Sequence, residues 1–425
     1  MEIKIDYGRE GLVIDLPDHT QVIRSQYVAG LPDEVGAIQD ALRNPIGSLP
    51  LVDIVKSGDK VVIVHTDITR ATPNDRLLPV ILHELEFAGV NRHDIILING
   101  LGTHRFQTEA ELRQMLSDFI VDNYRCLQHD AYAEDNLVTL GKTFHGNPIR
   151  INKDYLGADV RILTGFIEPH FFAGFSGGPK AVLPALAGFE SVGTNHCAAN
   201  IALPNATWGN LSENPVWEEM KEVALKTEPS FLVNITLNAD KEISGVFAGD
   251  MLAAHAEGCK FVKEHAMVAV EETFDVVITT NSGYPLDQNL YQSVKGMSAA
   301  SKILSKGGTI ISVTACEDGV PEHGGYADLL RRGGSPQGVL NMVTAPDFNE
   351  PDQWQVQIQA LIQMQGDVYV FSDGLSDEEI RQALFLPCRD IPSLLRSLET
   401  KYGTKFSIAV MPEGPQSVPY LAVDG

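Results

Sequence analysis

The sequence predicts an α/β protein of two α/β domains with mostly parallel sheets. Short, continuously apolar runs recur along the chain, and segments with helical spacing lie between many of them. A strand apolar at every position has both faces buried, and the intervening helices are what bury them. Polar and glycine residues follow several of the runs directly. Loops at the carboxyl ends of parallel strands are where such sheets bind ligands.

The runs are residues 60–65 after the Gly58-Asp59 turn, 94–99 before Gly100-Leu101-Gly102, 160–164, 231–237, 275–280, 309–314, 367–372 and 406–410. Residues 1–7 alternate like a first strand and not like a secretory leader. Residues 73–88 and 109–116 carry helical spacing. A helix over 259–265 followed by a fresh strand series makes 258–274 a hinge. The expected domains are 1–265 and 274–405; the terminal strand in 406–425 could belong to either. A chain of 425 residues suits two domains.

With 32 Lys and Arg against 56 Asp and Glu, the formal charge is −24. That field argues against nucleic acid or an anionic membrane as a partner. It also makes any local group of Arg, Lys and His informative, because an anionic substrate has to be held against it. Cys126, Cys197, Cys259, Cys316 and Cys388 show no Cys-x-x-Cys spacing. Thiolate metal sites are therefore not expected, and reduced thiols in the cytoplasm are. No apolar run approaches the ~20 residues of a membrane span.

Four strand-end stretches carry the candidate chemistry. Asp67 and Arg70 follow the first run; Arg offers a planar fork for a carboxylate or phosphate. A helix-capping Asp beside a surface Arg would look the same. His104 follows Gly100-Leu101-Gly102-Thr103, where a histidine can titrate near neutrality or merely hold its loop. Residues 165–180 and 193–196 combine five glycines with aromatics, His170, Phe172, Lys180 and His196. His170 is a base candidate, Lys180 a covalent anchor and His196 a metal ligand; the plain alternative is a glycine-rich turn with His196 inside a helix. The glycine-rich part is not a phosphate loop, since Pro179 and Ala181 break that pattern. Tyr284 opens the fourth stretch, in which Tyr291, Gln292 and Lys295 share one face of a helix. No Gly-x-Gly-x-x-Gly follows a first strand and no His-Glu-x-x-His occurs, which disfavours dehydrogenase, kinase and zinc hydrolase readings.

Taken together, GFIEPHFFAGFSGG at residues 165–178 and PLDQNLYQSVKGM at 285–297 resemble the nickel-pincer-dependent lactate racemase family, and the resemblance runs over the whole chain. It implies two α/β domains with the active site in the cleft between them. It implies nickel in a pincer nucleotide, a pyridinium dithiocarboxylic acid mononucleotide, covalently attached to Lys180. On the same resemblance His196 completes the nickel coordination and His104 and His170 are the acid–base pair. Arg70, Gln292 and Lys295 hold the substrate, Phe172 and Tyr291 wall the pocket, and Asp67 and Lys295 lie toward the cofactor. Pro179 stands where the family pattern has Arg and Pro169 where it has Ser, departures that bear on substrate scope.

The chemistry this implies is reversible removal of the C2 hydrogen of lactate as hydride, through a pyruvate-like ketoacid. Two histidines suit it because the hydroxyl proton must leave and return on either face. Cofactor-building enzymes are the implied protein partners, and a homodimer is left open. The alternatives are a racemase or epimerase of another 2-hydroxy acid, and a non-catalytic organic-acid binder.

Overall fold

The computed structural model describes residues 1–422, apart from His323 and Asp347. The chain divides into two compact units. One comprises Tyr27–His196 and Ala202–Glu264; the other comprises Met1–Gln26, Cys197–Ile201 and the chain from His265 onward.

The first unit is built on a six-stranded sheet. Its order is Ile243–Gly249, Phe231–Leu237, Val160–Phe166, Val61–His65, Ile95–Asn99, Arg125–Gln128. Only the Ile243–Gly249 edge is antiparallel. Every residue of Val61–His65 is buried, as its unbroken apolar run requires. The helix Asn74–Phe87 sends Leu77, Leu78, Ile81 and Leu85 into one core with Ile63, Leu97 and Ile162. Each such side chain contributes about 1.5–3 kcal/mol when fully buried. The helix Glu34–Arg43 adds Ile38 and Leu42.

The second unit carries another six-stranded sheet, parallel throughout. Its order is Leu386–Cys388, Asp367–Phe371, Leu304–Val313, Phe274–Thr279, Ile408–Met411, Gln21–Val22. The strand near the carboxyl terminus thus lies inside this sheet. The expected 1–265 domain is divided differently: Met1–Gln26 joins the second unit. Ile5, Ile14 and Leu16 bury in a core with Val276, Ile278 and Val410, and Gln21–Val22 pairs along Ile408–Met411. The open edge of that sheet and its exposed apolar face decide this, and neither is visible in chain order. Within 258–274 the helix Met251–Ala266 ends and the strand Met267–Val270, paired with Val418–Leu421, begins, and the two units divide there between Glu264 and His265.

Candidate active site

Val61–His65 is flanked by Ile95–Asn99 and Val160–Phe166, all parallel, so the loops after all three leave one edge of one sheet. Those loops carry Asp67 and Arg70, His104, and the segment with His170, Phe172 and Lys180.

Asp67 is buried and accepts hydrogen bonds from the Thr69 amide at 2.9 Å and the Thr69 hydroxyl at 2.6 Å. Its other oxygen pairs with His104 Nδ1. Arg70 Nη1 donates to the Thr69 hydroxyl at 3.1 Å. Burial alone would push the Asp67 carboxyl up; His104, Arg70 and the Thr69 hydroxyl outweigh it and hold it well below the usual carboxylate range. A carboxylate only accepts, so His104 Nδ1 carries a hydrogen and, in the neutral ring, Nε2 keeps its lone pair. Asp67 is no helix cap. The helix begins at Asn74 with Pro73 before it and no side-chain cap.

Asp67→Asn should destabilise the fold by about 1–3 kcal/mol, the scale of a hydrogen bond to a charged group. A depressed folded-state pKa gives stability that is fully present above the unfolded value of about 3.9 and fades as pH falls toward the folded value. Urea unfolding of parent and variant should therefore show a gap at pH 7 that closes in acid. A gap independent of pH would show that the charge of Asp67 is not what stabilises.

The second cluster forms around Phe172. Its ring meets His170 edge-on at 4.6 Å and His196 edge-on at 5.0 Å, and Lys180 Nζ lies 5.8 Å from its centre. The two-residue strands Pro169–His170 and Gly174–Phe175 pair antiparallel and fix the loop between them. His170 Nδ1 accepts the Ala173 amide at 3.2 Å, so in the neutral ring its hydrogen sits on Nε2. His104 and His170 thus offer opposite protonation patterns at Nε2. His196 sits at the end of the helix Phe189–Asn195, not inside it. Burial and then the nearby Lys180 charge hold it well below the ordinary imidazole value. It is neutral at neutral pH, the form that ligates metals. Lys180 lies in the short turn Gly178–Ala181.

The remaining candidates belong to the second unit. Asn289 caps the helix Leu290–Ser301 through the Gln292 amide at 3.0 Å. Tyr291, Gln292 and Lys295 lie on its first turns. Gln292 Oε1 is buried with no hydrogen-bond partner among the described residues. Leaving such an oxygen dry costs about 1–3 kcal/mol, which marks a place for a donor from outside the chain. The Tyr291 hydroxyl accepts Trp354 Nε1–H at 2.8 Å.

Several supporting residues were not legible as motifs. Trp354 sits in Gln353–Gln365, where glutamines alternate with apolar residues and the tryptophan reads as core. Glu219 is a buried carboxylate accepting from Thr143 at 2.7 Å, Asn147 at 2.6 Å and Asn195 at 2.9 Å, next to His196. The one available signal was that an isolated Glu on the apolar face of Pro215–Lys226 needs partners.

A family model of the lactate racemase N-terminal domain matches residues 7–209, and one of the lactate racemase C-terminal domain matches residues 269–418. The lactate racemase of Thermoanaerobacterium thermosaccharolyticum is 36% identical over 421 residues, 97% of either chain. That of Lactiplantibacillus plantarum is 36% identical over 382 residues, 90% of either chain. The solved lactate racemase apoprotein from T. thermosaccharolyticum superposes with a TM-score of 0.90 at 35% identity, covering 99% of this chain and 100% of that one. A Thermotoga maritima protein, with a TM-score of 0.73 at 19% identity, covers 93% of this chain and 100% of its own and shares the fold alone. Domain models at both ends and relatives along nearly the whole length agree: the chain is an isomerase belonging to the lactate racemase family.

Proposed function

We propose that the chain interconverts D- and L-lactate through a pyruvate-like ketoacid, using a nickel-pincer nucleotide attached at Lys180. The observation that supports this best is the pair of histidines on loops of one sheet edge with opposite protonation at Nε2. His104 Nε2 is set to take the hydroxyl proton, while the neutral His170 ring donates a hydrogen bond through Nε2. A racemase needs a histidine for each enantiomer, and a simple organic-acid binder needs neither.

The residues present fit the implied group. Among the described residues no three His, Cys, Asp or Glu side chains converge as a metal site. A nickel ion at His196 would therefore draw its other donors from the nucleotide, as a pincer provides. His196 is buried and neutral, suited to supply one nitrogen, and Lys180 stands across the same Phe172 ring. When bound, the group supplies the acceptor and donor of hydride.

The protein's own part is to bind, orient and move a proton. His104 Nε2 accepts the substrate hydroxyl proton, and Asp67 stabilises the resulting imidazolium. His170 serves the opposite enantiomer in the ring form whose Nε2 lone pair is free, which gives up the Ala173 amide contact at Nδ1. Phe172 and Tyr291 exclude water. Arg70, Gln292 and Lys295 hold the carboxylate and hydroxyl. The cytoplasm is the proposed compartment, cofactor-building enzymes the proposed partners, and Lys295 and Asp67 are also placed toward the cofactor.

Protein made alongside cofactor-building enzymes should carry an added mass on Lys180 and bound nickel, and should racemise lactate. Adduct and nickel with turnover of a different 2-hydroxy acid would shift the substrate; no adduct and no turnover would overturn the reading. His196→Ala should lose nickel while keeping the organic adduct. Equal nickel in variant and parent removes His196 from the coordination sphere. Arg70→Lys keeps the charge and loses the fork, so substrate binding should weaken by about 1–3 kcal/mol. An unchanged KM would mark Arg70 as structural.

A further inference from the structure

The loop that carries Lys180 is gripped by two buried side chains that no motif announces. Gly177 and Gly178 take φ of +76° and +51°, a region open to glycine. A Cβ on Gly178 would come within 2.7 Å of the His255 ring, and one on Gly177 within 2.5 Å of Asn234 Oδ1. The loop backbone lies against both side chains with no space between.

His255, from the helix Met251–Ala266, reaches the Ser176 carbonyl oxygen with Nε2 at 2.8 Å. A carbonyl only accepts, so Nε2 carries the hydrogen. The ring is buried and stacks on Trp217 at 5.0 Å and 19°. Asn234, from Phe231–Leu237, accepts the Gly178 amide at 2.8 Å. Its Nδ2 donates to the Gly165 carbonyl at 3.2 Å, tying the loop to the end of Val160–Phe166. One bond therefore precedes the double glycine and one ends it. Without them, two adjacent glycines would be the freest part of the loop.

We infer that His255 and Asn234 are positioning residues that hold residues 176–178 in the conformation presenting the Lys180 amine beside Phe172, before anything is attached there. This rests on Lys180 being the attachment point. Preorganisation of this kind raises the yield of a covalent attachment without touching the reacting atoms.

The test uses full-length protein made with the cofactor-building enzymes, peptide mapping of Lys180 adduct by mass spectrometry, and the Tm of each chain made without them. His255→Phe keeps the stack on Trp217 and loses the donor; the adduct fraction should fall roughly tenfold, the lower range for losing an orienting contact behind a ligand. His255→Gln keeps a donor for the Ser176 carbonyl and loses the stack. Its Tm should drop, yet its adduct fraction should stay near that of the parent. Asn234→Ala removes the second bond and should reduce the adduct as His255→Phe does, which keeps the test open if the phenylalanine variant does not fold. A parental adduct fraction in His255→Phe or Asn234→Ala, or equal loss in His255→Gln, overturns the inference. Absence of adduct in the parent itself instead overturns Lys180 as the attachment point.

Discussion

Lys180→Ala is expected to abolish the covalent adduct and racemisation together while leaving the fold intact. Lys180 is only partly buried, in a turn whose neighbours Gly178 and Pro179 carry the packing. Removing its side chain leaves a little space beside Phe172 and should cost under about 1 kcal/mol, as for surface substitutions away from special features. The effect on activity should be complete, because a group lost on purification leaves no hydride acceptor. Intact mass, nickel content and Tm would be read on the same preparation. An active variant with an adduct at another residue would show the anchor to be misassigned, and a collapsed Tm would show Lys180 to be structural.

His104→Ala and His170→Ala should each stop racemisation in both directions, yet each should keep one half-reaction. If His104 takes the hydroxyl proton from one enantiomer and His170 from the other, each variant still oxidises the enantiomer whose base it retains. The lost half-reaction should slow by roughly 10²–10⁴, the usual contribution of a general base. Single-turnover mixing with pure D- or L-lactate, followed by ketoacid release, should show the preference inverted between the two variants. Their effects should also differ in character. His104 is buttressed by a buried carboxylate, so Asp67→Asn should slow the same enantiomer as His104→Ala does. His170 Nδ1 instead accepts the Ala173 amide, so Asp67→Asn should leave oxidation of the enantiomer served by His170 near the parental rate. Equal loss of both half-reactions in both variants would leave one histidine merely positional.

Much of this architecture was legible because period and punctuation are local. The runs at 60–65, 94–99 and 231–237 became Val61–His65, Ile95–Asn99 and Phe231–Leu237, since an all-apolar stretch bounded by turns has little choice but a central strand. The helix at 109–116 is present as Glu109–Leu116 with its Thr108 capping box. The edge strand Ile243–Gly249 and the hairpin Leu137–Lys142 with Pro148–Asn152 were not foreseen. Edge strands are half-exposed and mixed in composition, so their pattern is set by the neighbour they pair with rather than by their own sequence.

The sequence by itself determined the fold class, the family and the short set of residues worth testing, because those are written in residue types and spacings along the chain. Only the tertiary structure decided that residues 1–26 complete the second sheet. It alone showed that Phe172 stands between His170, His196 and Lys180, and that Asp67 turns His104 rather than capping a helix. It also decided which imidazole nitrogen carries the hydrogen and that His196 stays neutral. A protonation state follows from burial and from the nearest charge or hydrogen-bond partner. For His104 that partner lies 37 residues away, a distance no local pattern spans and only the packed sheet brings to contact.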